Sequence, residues 1–308
     1  MNLLLSTFYA ALRLSTPLIF ASMGGLVSEK SGVTNIALEG MMTMGAFFAV
    51  IGSYITGNPL IGVIFGILGG GAISVIHAIV CIRLRAQQTI SGTAINLFST
   101  AITSFVMFKI FNKGGQTDLV TALPFMPAKW FSEVPVVGSV LRELNWFIFM
   151  SFAIVILMQW LINRSVLGLR IRAAGEHPKA ADTLGVDVIK IRYICVILSG
   201  ILAGLGGAAL SLSATPLFIE GMVAGRGFIA LAAMVFGRWK PINTLAACII
   251  FGLADAVQIM AQGLGWNMPS EFYSSIPYVM SIFTMILFAG KAQAPKACGI
   301  PYTRESDK

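Results

Sequence analysis

Apolar residues dominate this chain in long blocks, separated by short segments rich in polar residues or glycine. A block of about 18 or more apolar residues is long enough to cross a bilayer as a helix, whereas lipid cannot satisfy the edges of an open sheet. The pattern therefore predicts an all-α polytopic membrane protein with about 8–10 transmembrane helices. The nine predicted spans are 7–27, 35–56, 60–84, 89–112, 146–163, 191–213, 222–237, 241–262 and 272–290.

Composition agrees with this pattern. The chain has 308 residues, of which 56% are hydrophobic and 11% are charged, while soluble proteins carry roughly 25% charged residues. Small residues recur four apart, as in Gly66 with Gly70 and Gly200 with Gly204, which predicts close helix packing. The first span is too long for a signal peptide and has no basic stretch before it, so we expect a retained helix.

The net charge of +8 does not indicate a nucleic-acid partner, because the cations are distributed by side of the membrane. With nine spans, 15 Lys and Arg residues fall on one face, 3 fall on the other, and 3 lie within or beside spans. This asymmetry predicts that the crowded face and the C-terminus are cytoplasmic and that the N-terminus is outside. The span at 222–237 is short, and a re-entrant segment is the alternative.

The organisation along the chain predicts a single transmembrane domain, 1–308, with two longer connections. Segment 113–145 is an external loop, which is either a docking surface or a solvated connector. Segment 168–190 is a charged cytoplasmic insert.

The insert contains signals for a short capped helix. Pro178 suits the first helical position, Glu176 precedes it near the positive end of the helix dipole, and Gly185 suits a left-handed C-terminal cap. Ala180, Ala181 and Leu184 would give this helix an apolar stripe. A helix of about two turns is unstable alone in water, so it needs a partner surface, unless the insert is only a polar connector.

Three segments resemble one family. Gly168–Gly185 (GLRIRAAGEHPKAADTLG) is similar to the coupling-helix signature of bacterial ABC-transporter permeases. Ser31–Ala46 (SGVTNIALEGMMTMGA) and Gly227–Pro241 (GFIALAAMVFGRWKP) resemble segments of the branched-chain amino-acid, simple-sugar and nucleoside permease superfamily. The segments occur in the family's order and span most of the chain. In detail they look most like the shorter permease subunit of a nucleoside importer.

The resemblance implies a type II-like importer in a bacterial cell membrane. A partner ATP-binding subunit would hydrolyse ATP with Mg²⁺, and the coupling helix would contact it. A second, related permease would pair with this chain, and an extracytoplasmic lipoprotein would deliver the nucleoside. The coupling residues implied are Gly175, Glu176, Pro178, Ala181, Leu184 and Gly185.

Two other readings of the function stay open. In the first, the chain is still an ABC permease, but its cargo is a simple sugar such as ribose or galactose. In the second, the chain is a proton-coupled secondary transporter that uses Asp255. The second of these leaves the insert unexplained.

Nothing in the sequence predicts an enzyme or a metal site. The nearest match to a phosphate-binding loop, Gly24–Ser31, has Glu29 where such a loop needs glycine. We therefore interpret Glu29 and Lys30 as the solvated end of the first span. The two histidines lie far apart and have no metal-site spacing. The four cysteines are scattered, which favours apolar packing over disulfides.

Polar residues inside the spans are the candidates for the substrate pathway, because a polar side chain at membrane depth should face a cavity or a partner. Asn35 and Glu39 are four apart and are expected to share a helix face. The same is expected of Thr93 with Asn96 and of Asp255 with Gln258, which are three apart. Structural roles are the alternative to a pathway role. Asp255 could pair with Arg13 or Arg226, Glu39 could accept backbone N–H groups at a helix break, and Asn96 could hold helices together. The candidates are Asn35, Glu39, Thr93, Asn96, Asp255 and Gln258.

Overall fold

The computed structural model describes residues 3–123, 145–213, 216–263 and 293–303, with isolated positions between 269 and 286. Ten α-helices and one π-helical turn lie in these ranges. They are α1 (Leu3–Lys30), α2 (Leu38–Thr56), α3 (Pro59–Ala78, continued by the π-helical turn Ile79–Arg83), α4 (Gln88–Phe111), α5 (Trp146–Arg164), α6 (Val166–Glu176), α7 (Pro178–Thr183), α8 (Val188–Ser213), α9 (Arg226–Phe236) and α10 (Pro241–Gly263).

Seven of these helices are long and apolar enough to cross a membrane. They are α1, α2, α3 with its π turn, α4, α5, α8 and α10, and they coincide with seven predicted spans. The all-α polytopic fold predicted from the sequence is confirmed. Most of the predicted span 272–290 and residues 124–144 of the predicted external loop lie outside the described residues.

The predicted span 222–237 is not one continuous helix. Its helix, α9, has 11 residues, which gives a length of about 16 Å, half of what a bilayer needs. Gly221, Ala224 and Gly225 have positive φ angles of 74°, 49° and 80°, so the chain before Arg226 turns instead of continuing as a helix. The chain therefore returns along the bundle as an irregular segment followed by a half-helix.

Two contacts show which ends of the helices lie together. The Arg192 Nε, near the start of α8, donates to the Ser31 carbonyl just after α1 at 3.2 Å. Trp239 Nε1, just after α9, donates to Glu29 Oε2 near the end of α1 at 2.7 Å. We call this end of the bundle, from which α6 and α7 project, the insert end. The opposite end is the loop end, where Thr117 N–H donates to the Phe218 carbonyl.

The interpretation of Glu29 as a solvated residue is wrong. Its side chain is buried, and the indole of Trp239 supplies a hydrogen-bond donor to its carboxylate. A carboxylate at the end of a helix is stable in a packed interior only when a donor replaces the lost water. Trp239 lies 210 residues away along the chain, so local sequence patterns could not indicate this partner.

Glycines allow α2, α3 and α8 to pack backbone against backbone. An added Cβ on Gly70 would meet the Gly200 carbonyl oxygen and would lie 2.6 Å from Gly204 Cα. An added Cβ on Gly45 would also collide with Gly204. The small-residue spacing read from the sequence therefore lies at the contact it predicted.

Neighbouring glycines in α3 provide a direct test of this packing. We expect Gly70→Ala to destabilise the protein by about 1–3 kcal/mol, because the new methyl group meets rigid backbone. Gly71→Ala is the matched control, since its Cβ would find only Ile201 Cγ1 at an ordinary 3.4 Å. Thermal unfolding of the two purified variants in detergent is the measurement. Equal melting temperatures would contradict the packing described.

Candidate functional site

The turn between α1 and α2 is held by its own Asn35 and by polar side chains from two other helices, α4 and α8. Asn35 Oδ1 accepts from Ala37 N–H at 3.1 Å, and its Nδ2 donates to Ser199 Oγ of α8 at 2.8 Å. Asn96 of α4 donates to the Ile36 carbonyl at 3.0 Å and accepts from Gly40 N–H at 2.8 Å. These bonds satisfy backbone groups that a helix break leaves open inside the bundle.

Glu39, in the first turn of α2, holds the start of the half-helix α9. Its two carboxylate oxygens accept from Gly225 N–H at 2.8 Å and from Gly227 N–H at 2.7 Å. Helix N-termini carry unpaired N–H groups and a partial positive charge, so a carboxylate there is favourable. Gly227 packs directly on the Glu39 backbone, where a Cβ would collide with it. The structure therefore shows the backbone-capping contact that competed with a pathway role for Glu39.

The structure corrects the expectation that Asn35 and Glu39 share a helix face. Asn35 precedes α2, which begins at Leu38, and it lies in the turn. In α4, Asn96 faces this turn, whereas Thr93 is exposed, and among the described residues its hydroxyl donates only to the Thr89 carbonyl of its own helix. The turn thus brings Asn35, Glu39 and Asn96 together and leaves Thr93 apart.

Arg226, the first residue of α9, lies near Glu39 of α2 and near Asp255 of α10. Its guanidinium interacts electrostatically with both carboxylates, although Asp255 makes no ion pair within 4 Å in the described part of the chain. Arg226 Nη1 donates to the Met222 and Val223 carbonyls, both at 3.2 Å. Its buried Nε has no hydrogen-bond acceptor among the described residues. Asp255 and Gln258 are both half-buried.

A cavity of about 440 Å³ lies beside Arg226. Arg13 and Pro17 of α1, Leu210 of α8 and Glu220 of the irregular segment contribute to its wall. Two guanidinium groups and one carboxylate give this cavity both donors and acceptors. It is therefore suited to a polar solute that offers hydroxyl and carbonyl groups.

A larger cleft, of about 990 Å³, lies at the loop end between the starts of α3 and α5. Its wall is almost entirely apolar and includes Leu60, Val63, Trp146, Phe149 and Met150. A polar solute would lose its hydration there without gaining hydrogen bonds, which is unfavourable. The smaller, charged cavity is therefore the better candidate site.

The insert has the short capped helix that the sequence predicts. Helix α7 starts at Pro178 and ends at Thr183, and Gly185 has a left-handed φ of 80°. Val186 N–H donates to the Ala181 carbonyl at 3.0 Å and Gly185 N–H donates to that of Asp182 at 2.9 Å, the pattern of a Schellman cap.

The predicted apolar stripe of α7 divides between two faces. Ala181 is buried against the bundle, whereas Ala180 is exposed and Leu184 is 83% exposed. A preceding helix, α6, which the sequence analysis did not predict, packs against α5, α1 and α8 and carries α7. Glu176 is exposed at the end of α6, and Gly175 is buried where a Cβ would meet the Lys30 carbonyl.

The chain is 37% identical to the nucleoside ABC transporter permease NupC of Lactococcus lactis, over 94% of each chain. It is 38% identical to the guanosine ABC transporter permease NupQ of Bacillus subtilis, over 96% of this chain and 95% of the relative. It is 38% identical to TsgC13 of Haloferax volcanii, whose name refers to glucose transport, over 83% and 77% of the two chains.

Lactococcus lactis has a second, more distant relative, the nucleoside permease NupB, which is 24% identical over 95% of this chain. The family model described as "Branched-chain amino acid transport system / permease component" matches residues 7–289. This match covers nearly the whole helical bundle, including the turn before α2, the half-helix α9 and the insert. The chain is a multi-pass membrane protein and belongs to this family of ABC transporter permeases.

Proposed function

We propose that this chain is a membrane-spanning subunit of an ATP-driven importer for nucleosides. The observation that carries the proposal is its identity of 37–38% to two nucleoside permeases over more than nine-tenths of this chain. The charged cavity beside Arg226 supports it, because a nucleoside is polar and offers ribose hydroxyls and base carbonyls to such groups. Family membership as an ABC permease argues against a proton-coupled secondary transporter.

The insert is the proposed docking point for the partner ATPase. An exposed leucine on a capped six-residue helix suits a groove on another protein, because such a short helix needs a partner surface. Gly175, Glu176, Pro178, Ala181 and Gly185 shape and hold this helix, and Leu184 enters the groove. The cation asymmetry supports a cytoplasmic location for the insert end and the C-terminus. ATP and Mg²⁺ are bound by the partner, and this chain has no ATPase site of its own.

Two further partners complete the proposed complex. A second, related permease pairs with this chain, as the occurrence of NupB and NupC in one organism supports. An extracytoplasmic lipoprotein delivers cargo at the loop end, where segment 113–145 forms the docking surface. The exposed apolar faces of α4 and α10 are available for lipid and for the second permease.

The proposed pathway uses the six polar residues in two ways. Asn35, Glu39 and Asn96 fix the turn and the half-helix that border the path. Thr93, Asp255 and Gln258 have accessible side chains and offer groups to the cargo. Arg13, Glu220 and Arg226, which the sequence analysis did not place in the pathway, line the charged cavity, and we add them to the proposed pathway.

Asp255→Asn tests the pathway. A carboxylate that accepts a ribose hydroxyl bond contributes about 1–1.5 kcal/mol, so we expect the KM for nucleoside uptake to rise about tenfold with little change in the maximal rate. Val257→Ala, on an exposed face of the same helix, is the control and should leave the KM unchanged. Lower protein yield with an unchanged KM would instead assign Asp255 a structural role.

Uptake in cells tests the proposed function itself. Cells that lack this gene, with and without the gene restored, are given labelled uridine or guanosine, and parallel samples are depleted of ATP. We expect restored uptake that requires ATP and that excess unlabelled nucleoside competes away. Uptake that survives ATP depletion but collapses with an uncoupler would overturn the ATP-driven mechanism.

A simple-sugar cargo is the second candidate, and the identity to TsgC13 favours it. The same experiment separates the two cargoes when unlabelled ribose, galactose and glucose are added as competitors. Loss of labelled sugar uptake in the deleted strain, with nucleoside uptake intact, would mean that the chain is part of an ATP-driven importer whose cargo is a sugar.

A further inference from the structure

Residues 295–302 form a segment that lies against three separate parts of the insert end. The segment is compact, because Cys298 N–H donates to the Pro295 carbonyl at 3.0 Å and Ile300 N–H donates to that of Ala297 at 3.3 Å. Pro295 and Ala297 are buried, although the segment follows the last predicted span. We call residues 295–302 the C-terminal clamp.

The clamp bonds both to the insert and to the turn before α2. Ala297 N–H donates to the Gly175 carbonyl at the end of α6 at 2.9 Å. Gly299 N–H donates to the Gly32 carbonyl at 3.3 Å, and Cys298 Sγ lies 3.2 Å from Thr34 Oγ1. The clamp therefore connects the insert, through a few bonds, to the turn that leads into Glu39.

Arg192 of α8 joins the clamp to the turn. Its side chain is buried, with Nε donating to the Ser31 carbonyl at 3.2 Å and Nη1 donating to the Ile300 carbonyl at 3.0 Å. The guanidinium also lies 5.9 Å from the centre of the Tyr302 ring, within the range of a cation–π contact. A single planar cation thus holds two backbone segments that are far apart in sequence.

We propose that the C-terminal clamp transmits movement of the insert to the turn before α2, with Arg192 as the positioning residue that fastens clamp and turn into one body. This inference rests on the proposed function, in which the insert is moved by a partner ATPase. Displacement of α7 is then carried through Gly175, the clamp and the turn to Glu39 and the start of α9. When the fastening is weakened, ATP hydrolysis continues but moves less cargo.

In the test, a disulfide bond between the clamp and the turn takes the place of the hydrogen bonds that Arg192 makes to both. In the complex reconstituted in proteoliposomes, Arg192→Gln should lower the nucleoside taken up per ATP hydrolysed at least about threefold, because a neutral side chain forms weaker bonds to the two carbonyls. Thr34→Cys, with Cys81, Cys195 and Cys248 replaced by alanine, places a thiol beside Cys298. Oxidation should restore the ratio in the Arg192→Gln protein, and dithiothreitol should remove that rescue.

The chemistry of Cys298 sets the conditions for the crosslink. Burial, and secondarily the nearby Glu29 carboxylate, raises the pKa of this thiol to about 11. It is therefore protonated and unreactive at neutral pH, so oxidation requires mildly alkaline buffer and a copper catalyst. The oxidised protein with Arg192 intact is the control, and it should transport normally because the clamp and the turn already move together.

Two outcomes of the transport experiment would overturn the proposal. Reversible loss of transport on crosslinking the protein with Arg192 intact would mean that the clamp must separate from the turn. A lowered ratio in Arg192→Gln that the crosslink does not restore would mean that Arg192 acts elsewhere. Wild-type proteoliposomes report the proposed function independently, since absence of ATP-dependent uptake there rejects that function.

A second readout needs no cargo. In lipid nanodiscs, Arg192→Gln should speed amide hydrogen exchange at Ala297, at Gly299 and in the turn at 31–33 together, because these N–H groups lose their common support. Faster exchange confined to the clamp, with the turn unchanged, would also overturn the proposal.

Discussion

Leu184→Asp is expected to abolish nucleoside uptake while the permease stays folded in the membrane. Leu184 is 83% exposed, so its replacement removes little packing within this chain. Burying a leucine in a partner's groove contributes about 1.5–3 kcal/mol, and a carboxylate in the same groove adds a desolvation cost. Assembly with the ATPase should therefore weaken at least about 100-fold.

Copurification of the ATPase with the tagged permease measures this effect directly. Leu184→Met is the matched control, since it keeps an apolar side chain of similar volume and should preserve both assembly and uptake. The melting temperature of the isolated permease should be the same for both variants. Wild-type copurification of Leu184→Asp would show that the insert is a connector rather than a docking helix.

Local signals explain why the sequence predicted α7 nearly to the residue. Pro178 fixes a backbone angle that suits the first helical position, and Gly185 tolerates the left-handed conformation that ends the helix. Both effects act within a few residues, so no tertiary information is needed. The hydrophobic blocks predicted the seven long helices for a similar reason, because burial in lipid demands only length and composition.

Contacts between distant residues account for what the sequence did not reveal. Glu39 meets Gly225 and Gly227 across more than 180 residues, and no pattern near Glu39 indicates a helix N-terminus there. The Arg192 contact with Ile300 is of the same kind. Helix α6 was missed because its two arginines and its glycines resemble a polar loop when its packing against α1 and α8 is unknown.

Polarity in a membrane span therefore selects residues that need a partner, but it does not decide between a structural role and a pathway role. Asn35, Glu39 and Asn96 were selected because polar groups at membrane depth need a partner, and the partners they have are mainly backbone groups of this chain. A helix break inside the bundle requires such bonds as strictly as a substrate site does. A structural role and a substrate-binding role differ in whether the hydrogen-bonding groups of the side chain are already occupied by partners within the protein.

Glu39→Gln is the second variant for which a large effect is expected. An amide offers one oxygen and one N–H₂ group, so only one of the two N–H groups at the start of α9 keeps an acceptor, and the other faces a donor. Losing a charged hydrogen bond and leaving a buried N–H unpaired costs about 2–4 kcal/mol. The positive end of the half-helix also loses its neighbouring negative charge.

The purified variant should melt at a lower temperature. Uptake per assembled complex should fall at least about tenfold, because raising the free-energy barrier of transport by about 1.4 kcal/mol already lowers the rate tenfold. Asp118→Asn is the matched control for the melting temperature: it makes the same chemical change in an exposed residue whose ion pair with Lys113 contributes little. Displacement of α9 moves Arg226, and with it one wall of the charged cavity, so stability and uptake should fall together. A variant that is less stable but transports at the wild-type rate per complex would show that the half-helix α9 is not part of the pathway.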